Sequence, residues 1–157
     1  MFLTFLGLRI SALLKKRVEI LEATVSFLVN LKLELMYRSD NLLNLLNGLS
    51  VLSVCRSLDY VKKCVEGLDD GEVFSVVWKN AVYTSGLPFK AEEKAKLASL
   101  SDFLGTSDKE SQRELLILYE SYFNDFLKRA TDENAKYSKI SVMLGFLSGF
   151  GVFIMVI

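Results

Sequence analysis

Residues Asp108–Leu144 read DKESQRELLILYESYFNDFLKRATDENAKYSKISVML and contain neither glycine nor proline. Those two residues are the usual helix breakers, so their absence over this length favours one unbroken helix. Apolar residues that recur at helical spacing predict its inward face: Leu116, Tyr119, Phe123, Phe126, Ala130 and Tyr137. We expect a continuous helix from Asp108 to Ile157, about 75 Å long.

The start of this helix carries capping signals. Gly105 ends the preceding helix, and Ser107 stands three residues before Glu110. A serine at the N-cap can accept the backbone N–H of Glu110, whose carboxylate can reach back to the serine N–H. Asp108 and Glu110 also suit the positive end of the helix dipole. The segment therefore predicts a capping box.

The end of this helix is uncharged. Ile140–Ile157 reads ISVMLGFLSGFGVFIMVI, and a helix of that length spans roughly 27 Å, close to the hydrocarbon thickness of a bilayer. We predict a transmembrane helix, with a fully buried C-terminal helix as the alternative. Ser141, Gly145 and Gly149 recur every four residues, which predicts a face that packs closely against another membrane helix. Alternatively, small residues are simply common in membrane helices.

The N-terminus is a second apolar segment. Residues 1–14 read MFLTFLGLRISALL, which is short for a span, and we predict that they associate with the membrane. Packing in a soluble core is the alternative. Basic residues follow at Lys15–Arg17, and others precede the C-terminal span at Lys136 and Lys139. Because cytoplasmic flanks are rich in Lys and Arg, residues 15–139 are predicted to form a cytoplasmic helical domain between the two membrane segments.

Four shorter helices are predicted between two long ones. Helix 1 carries an apolar seam and runs to about Arg38, and it is expected to lie antiparallel to helix 6. The others are a short helix after Asp40, then Ser53–Glu66, Glu72–Ser85 and Glu92–Leu104, with Trp78 in the core. The predicted fold class is all-α, a bundle of about six helices whose long C-terminal helix runs into a transmembrane segment.

The composition argues against an enzymatic active site. Histidine, the commonest general base in enzymes, is absent. Nineteen basic residues balance nineteen acidic ones, so the chain has no large positive charge that would attract nucleic acid. Cys55 and Cys64 are interpreted as buried free thiols on opposite faces of one helix. Paired carboxylates, such as Glu92–Glu93 and Asp132–Glu133, are interpreted as solvated surface. We predict no enzyme, no catalytic residues, no metal site and no cofactor.

Three ordered motifs resemble the stage III sporulation protein AB family. Leu104–Gln112 reads LGTSDKESQ and resembles the family signature LGxSDxExQ, on Gly105, Ser107, Asp108, Glu110 and Gln112. Glu34–Tyr37 resembles the ExxY element at the end of the first helix. Leu144–Gly149 resembles the LGxLxG anchor. The resemblance covers nearly the whole chain, although the N-terminal apolar segment is shorter than the membrane helix of the family.

The resemblance implies a role in endospore formation. The family belongs to a channel assembly in the mother-cell membrane that faces the forespore, and its soluble domain is similar to type II secretion F-type platform proteins. It implies coupling of a cytoplasmic ATPase, stage III sporulation protein AA, to other channel membrane proteins. Glu34, Tyr37 and the signature residues would be partner contacts or structural caps, and a homo-oligomer stays open. The alternative is a generic membrane-anchored helical adaptor, or a small membrane protein, with no sporulation role.

Overall fold

The computed structural model describes the backbone of residues 2–37, 41–104 and 108–156, and the side chains of residues 9–37, 41–104 and 108–140. Within these ranges the chain contains six α-helices, two short 3-10 helices and no strand, as the predicted all-α class requires. The helices are α1 (Phe2–Tyr37), α2 (Leu42–Ser50), α3 (Asp59–Asp69), α4 (Phe74–Tyr83), α5 (Ala91–Ser99) and α6 (Lys109–Val156). The 3-10 segments are Ser53–Ser57, before α3, and Leu100–Asp102, after α5.

The two long helices, α1 and α6, pack against each other in antiparallel orientation. Arg17 of α1 binds Glu133 of α6 at 2.6 Å, and Lys32 binds Glu120. The later residue of α1 pairs with the earlier residue of α6, so the two helices run in opposite directions. We call the end where α1 finishes and α6 starts the distal end, and the opposite end the basal end. Helix α6 is unbroken over 48 residues, as the lack of breakers in Asp108–Leu144 predicts.

The short helices pack on one side of this pair around an aromatic core. Trp78 of α4 is fully buried, stacks on Phe27 of α1 at 5.9 Å and meets Tyr60 of α3 edge-on at 5.6 Å. Its indole N–H donates to the carbonyl of Leu97 in α5 at 2.8 Å. One side chain thus joins four helices, and the predicted core position of Trp78 is confirmed.

The predicted third helix, Ser53–Glu66, is wrong at its centre. A 3-10 segment ends at Ser57, and α3 starts at Asp59, because Leu58 leaves the helical region (φ −101°, ψ 82°) and places its side chain fully in the core. Cys55 and Cys64 consequently lie on two helices rather than on opposite faces of one. Both are buried and free, as expected. Burial raises the pKa of the Cys64 thiol to about 12.

Two glycines shape the connection between α3 and α4. A Cβ on Gly67 would lie 2.6 Å from Cγ1 of Val77, so the glycine allows the two helices to approach closely. Gly71 has φ +84°, a conformation that side chains rarely adopt, and it closes the turn that follows α3. Because of this turn α4 starts at Phe74, two residues after the predicted Glu72.

Within the described residues, no helix combines the length and apolar character needed to cross a membrane. The predicted span, Ile140–Ile157, lies outside the described side chains after Ile140, although the α6 backbone continues to Val156. Ser141, Gly145 and Gly149 fall in the same undescribed part. In the N-terminal segment, the described apolar residues Ile10 and Leu13 are exposed by 39% and 58%.

Candidate functional site

The antiparallel helix pair brings two of the sequence motifs to the distal end. Tyr37 is the last residue of α1, and its side chain is 82% exposed, whereas Glu34 one turn earlier is half-buried. The signature segment lies at the start of α6, at the same end of the bundle. Gly105 and Ser107 of that segment lie outside the described residues.

Asp108 caps helix α6. Its carboxylate accepts the backbone N–H of Ser111 at 3.2 Å and the Ser111 hydroxyl at 2.6 Å, and these hydrogen bonds lower the Asp108 pKa. Glu110 accepts a hydrogen bond from Arg113 at 2.7 Å. The capping box predicted between Glu110 and Ser107 lies partly outside the described residues and stays a prediction. Asp108 is an exposed structural cap, which is one of the two roles expected for the motif residues.

Gln112, the last signature residue, points inward. Its side chain is only 9% exposed, and it begins the buried stripe of α6 that continues through Leu116 and Tyr119. A buried glutamine at the start of an apolar stripe is part of the packing of the bundle rather than of its surface. Of the described signature residues, Asp108 is thus an exposed helix cap, and Gln112 is buried at the start of the inward face of α6.

A groove opens at the same distal end, beside the start of α2. Its volume is about 410 Å³, and it lies between α2, the α3–α4 turn and the 3-10 segment after α5. Most of its lining is apolar: Leu42, Leu43, Leu68, Val73, Phe74 and Leu104, with Asn41, Ser75 and Ser101. We call it the distal groove. Sequence patterns could not indicate it, because its walls come from three separate segments whose outermost residues, Asn41 and Leu104, are 63 positions apart.

A buried ionic network holds three helices together nearer the basal end. Arg17 of α1 donates to both carboxylate oxygens of Glu93 in α5 and to Glu133 of α6. Glu133 also accepts from the Lys90 ammonium at 2.6 Å, and Glu93 accepts the Lys90 backbone N–H at 2.7 Å. Arg17 is 6% exposed and Glu93 is 1% exposed. Each charge is therefore paired inside the protein, as buried charges require.

This network corrects two interpretations of the sequence. Glu93 and Glu133 were expected on a solvated surface, but one is buried and the other is half-buried and doubly paired. Arg17 was expected in the basic flank of a membrane segment, but it lies inside the bundle, and only Lys15 and Lys16 are exposed there. The available signal was that Arg17 and Glu93 each stand four residues before a core leucine, Leu21 or Leu97, on the inward face.

The charges in the network support one another. The hydrogen bond from Lys90, together with the hydrogen bond and charge of Arg17, lowers the pKa of Glu133 despite partial burial. Burial alone would lower the pKa of Arg17, but its bonds to Glu93 and Glu133 outweigh that effect and raise it. Over the part of the chain that the structure describes, no group of three or more His, Cys, Asp or Glu residues could hold a metal ion.

These observations define the class of protein: an all-α bundle carried on one long antiparallel helix pair, with its sequence motifs gathered at the distal end. The profile of the family described as stage III sporulation protein AB matches residues 1–157. The chain belongs to this family, and the resemblance seen in the motifs is confirmed. No curated protein and no solved structure matches the chain. Membership supports a role in stage III of sporulation, within a channel complex that contains other proteins.

Proposed function

We propose that the protein is a non-enzymatic, membrane-anchored platform of the sporulation channel between mother cell and forespore. Residues 15–139 form its cytoplasmic domain, residues 140–157 anchor it in the mother-cell membrane, and residues 1–14 associate with the same membrane. The domain couples a cytoplasmic ATPase, stage III sporulation protein AA, to membrane components of the channel. Ser141, Gly145 and Gly149 pack the anchor against another membrane helix.

The antiparallel arrangement of α1 and α6 is the observation that carries this proposal. It directs both apolar ends of the chain to the basal end and places the Glu34–Tyr37 and Asp108–Gln112 motifs at the distal end, on the other side of a packed core. A protein that links a membrane to a cytoplasmic partner needs that separation of its two attachment surfaces.

The described residues nearest the apolar ends support the same orientation. Ile10 and Leu13 in α1 and Tyr137 and Ile140 in α6 are all large, and between 39% and 58% of each is exposed. Neighbouring exposed apolar residues at one end of a bundle are typical of a surface that contacts lipid or another protein. The uncharged segment Ile140–Ile157 begins at that point.

Membrane anchoring is tested by washing membranes of sporulating cells with alkaline carbonate. We expect the full chain to stay in the membrane fraction and a chain that lacks residues 140–157 to be largely released. Retention of the truncated chain would move the anchor to residues 1–14. Release of the full chain would contradict anchoring altogether.

Coupling to the ATPase is tested by co-purification in a mild detergent. A tagged full-length chain should retain stage III sporulation protein AA, and deletion of the gene should arrest development after engulfment. Two results together would favour the generic adaptor without a sporulation role. The tagged chain would be bound to the membrane but retain no ATPase, and a strain that lacks the gene would sporulate normally.

A further inference from the structure

The distal groove is shaped for apolar side chains rather than for a polar small molecule. Leucine, valine and phenylalanine side chains form most of its wall. Its buried serine, Ser101, already donates to the carbonyl of Ala98 at 2.9 Å, so this hydroxyl is engaged within its own segment. Polar ligand sites usually bring several polar groups to bear on one point. Here the groove offers mainly apolar contact.

The apolar surface continues out of the groove along α4. Val73 lines the groove and is 67% exposed, and Val76, one turn further along, is 60% exposed. Together with the groove they form a connected apolar patch, which in a soluble domain often marks an interface. The buried face of the same helix, with Val77 and Trp78, points to the core.

Carboxylates border this patch. The segment between Leu68 and Val73, two residues that line the groove, contains Asp69 at the end of α3 and then Asp70 and Glu72, all exposed. None of the three forms an ion pair within the described parts of the chain. The positive φ of Gly71 fixes the turn that presents them. An apolar floor with a negative rim is complementary to a helix that has apolar residues on one face and basic residues on the other.

We propose that the distal groove binds a basic amphipathic helix of a partner protein, with apolar residues of the helix in the groove and its lysines or arginines against Asp69, Asp70 and Glu72. The inference rests on the proposed function only in that the distal end faces cytoplasmic partners. It adds where the partner binds and which chemistry the partner must present.

The test uses the full chain in a zwitterionic detergent and two synthetic probes. Each probe has about 14 residues patterned as an amphipathic helix, one of leucine and lysine and one of leucine and glutamate. We expect the lysine probe to bind and to shift the methyl resonances of Leu42, Leu43 and Leu68. Its affinity should fall at least about tenfold between about 0.05 and 0.5 M salt, because exposed charges are screened. The glutamate probe should not bind at these methyl groups.

Two variants locate the interaction. D69K/D70K/E72K should weaken binding of the lysine probe at least about tenfold. V73S/V76S changes only exposed residues and should also weaken it. The matched control, E19K/E22K/D132K, reverses three exposed carboxylates away from the groove and should change the affinity less than about twofold. Circular dichroism establishes that each variant is folded.

The outcomes separate this inference from the proposed function. Absence of binding, equal binding of both probes, or equal weakening by the control would overturn the groove as a basic-helix site. Those results leave ATPase co-purification and membrane anchoring unaffected. Conversely, a full chain that binds the lysine probe in the groove but retains no ATPase contradicts the coupling and not the groove.

Discussion

Arg17 of α1 and Glu93 of α5 form a buried ion pair across 76 residues of sequence. The guanidinium also reaches Glu133 of α6, so a single side chain connects three helices. Nearby on α1, the buried hydroxyl of Thr24 donates a hydrogen bond to the carbonyl of Ile20 at 2.8 Å, so this second buried polar group of α1 also has a partner. The pair fixes how α5 sits against the long helices.

Removal of Arg17 should destabilise the bundle strongly. In R17M the Glu93 carboxylate stays buried with only the Lys90 backbone N–H as a described donor. We expect the free energy of unfolding to fall by about 3 kcal/mol, as is typical when one partner of a buried pair is removed. Urea unfolding of the full chain, followed by circular dichroism, measures the change.

Two further variants are controls for this result. R17M/E93Q removes the charge that R17M leaves without its partner and should be more stable than R17M alone. K63M breaks the exposed pair Lys63–Asp59, whose side chains are 43% and 41% exposed, and should lower stability by less than about 1 kcal/mol. Equal effects of R17M and K63M would show that the buried pair contributes little.

Glu133 should make the stability of the protein depend on pH under acidic conditions. Its pKa is lowered in the folded state, first by the hydrogen bond from Lys90, so its contribution is present above the ordinary glutamate pKa, about 4.3. It is lost as the pH falls through the lower folded value, because the unfolded chain then binds the proton more readily.

The comparison of wild type with E133Q isolates this contribution from the other carboxylates. Between about pH 5 and pH 3 the wild type should lose more unfolding free energy than E133Q does. Unfolding curves at several pH values provide the measurement. Identical pH profiles would mean that Glu133 titrates alike in the folded and unfolded chains.

Gly67 should not tolerate even a methyl group. The added Cβ would stand 2.6 Å from Val77, a β-branched side chain with little rotational freedom. We expect G67A to lower the free energy of unfolding by about 1–3 kcal/mol, in the range of overpacked cores. Thermal or urea unfolding of the folded variant measures it.

Gly48 provides the matched control for this substitution. It lies within α2, and a Cβ there would meet nothing within 4 Å. G48A should stabilise the protein by about 0.5–1 kcal/mol, because alanine favours the helix. If both glycine variants shift stability in the same direction, close packing of α3 on α4 does not explain Gly67.

Local sequence signals were sufficient for the long elements. The absence of breakers in Asp108–Leu144 predicted an unbroken α6, and the stripe from Leu116 to Ala130 is buried as its spacing indicated. Tyr137, predicted on the same inward face, is 51% exposed, so that part of the prediction is wrong. The single helix predicted over Ser53–Glu66 failed because burial of Leu58 outweighed the local helical pattern. Short helices depend more on the surrounding core than on their own sequence.

Features built from distant segments could not be predicted. The spacing of Glu93, four residues before the core residue Leu97, indicates an inward position, but nothing local identifies the group that pairs with it. Its partner, Arg17, is identified only when α1 and α5 pack together. The distal groove is similar, because Leu42, Leu68 and Leu104 become neighbours only in the folded chain.

The unbroken length of α6 makes it a lever arm. At about 72 Å, a tilt of about 5° at one end displaces the other by roughly 6 Å, which is about one helical turn. Arg17, bound to Glu133 partway along, ties α1 and α5 to the same arm. Because α6 is one unbroken helix tied to α1 and α5, a tilt imposed at its distal end would be transmitted to its basal end.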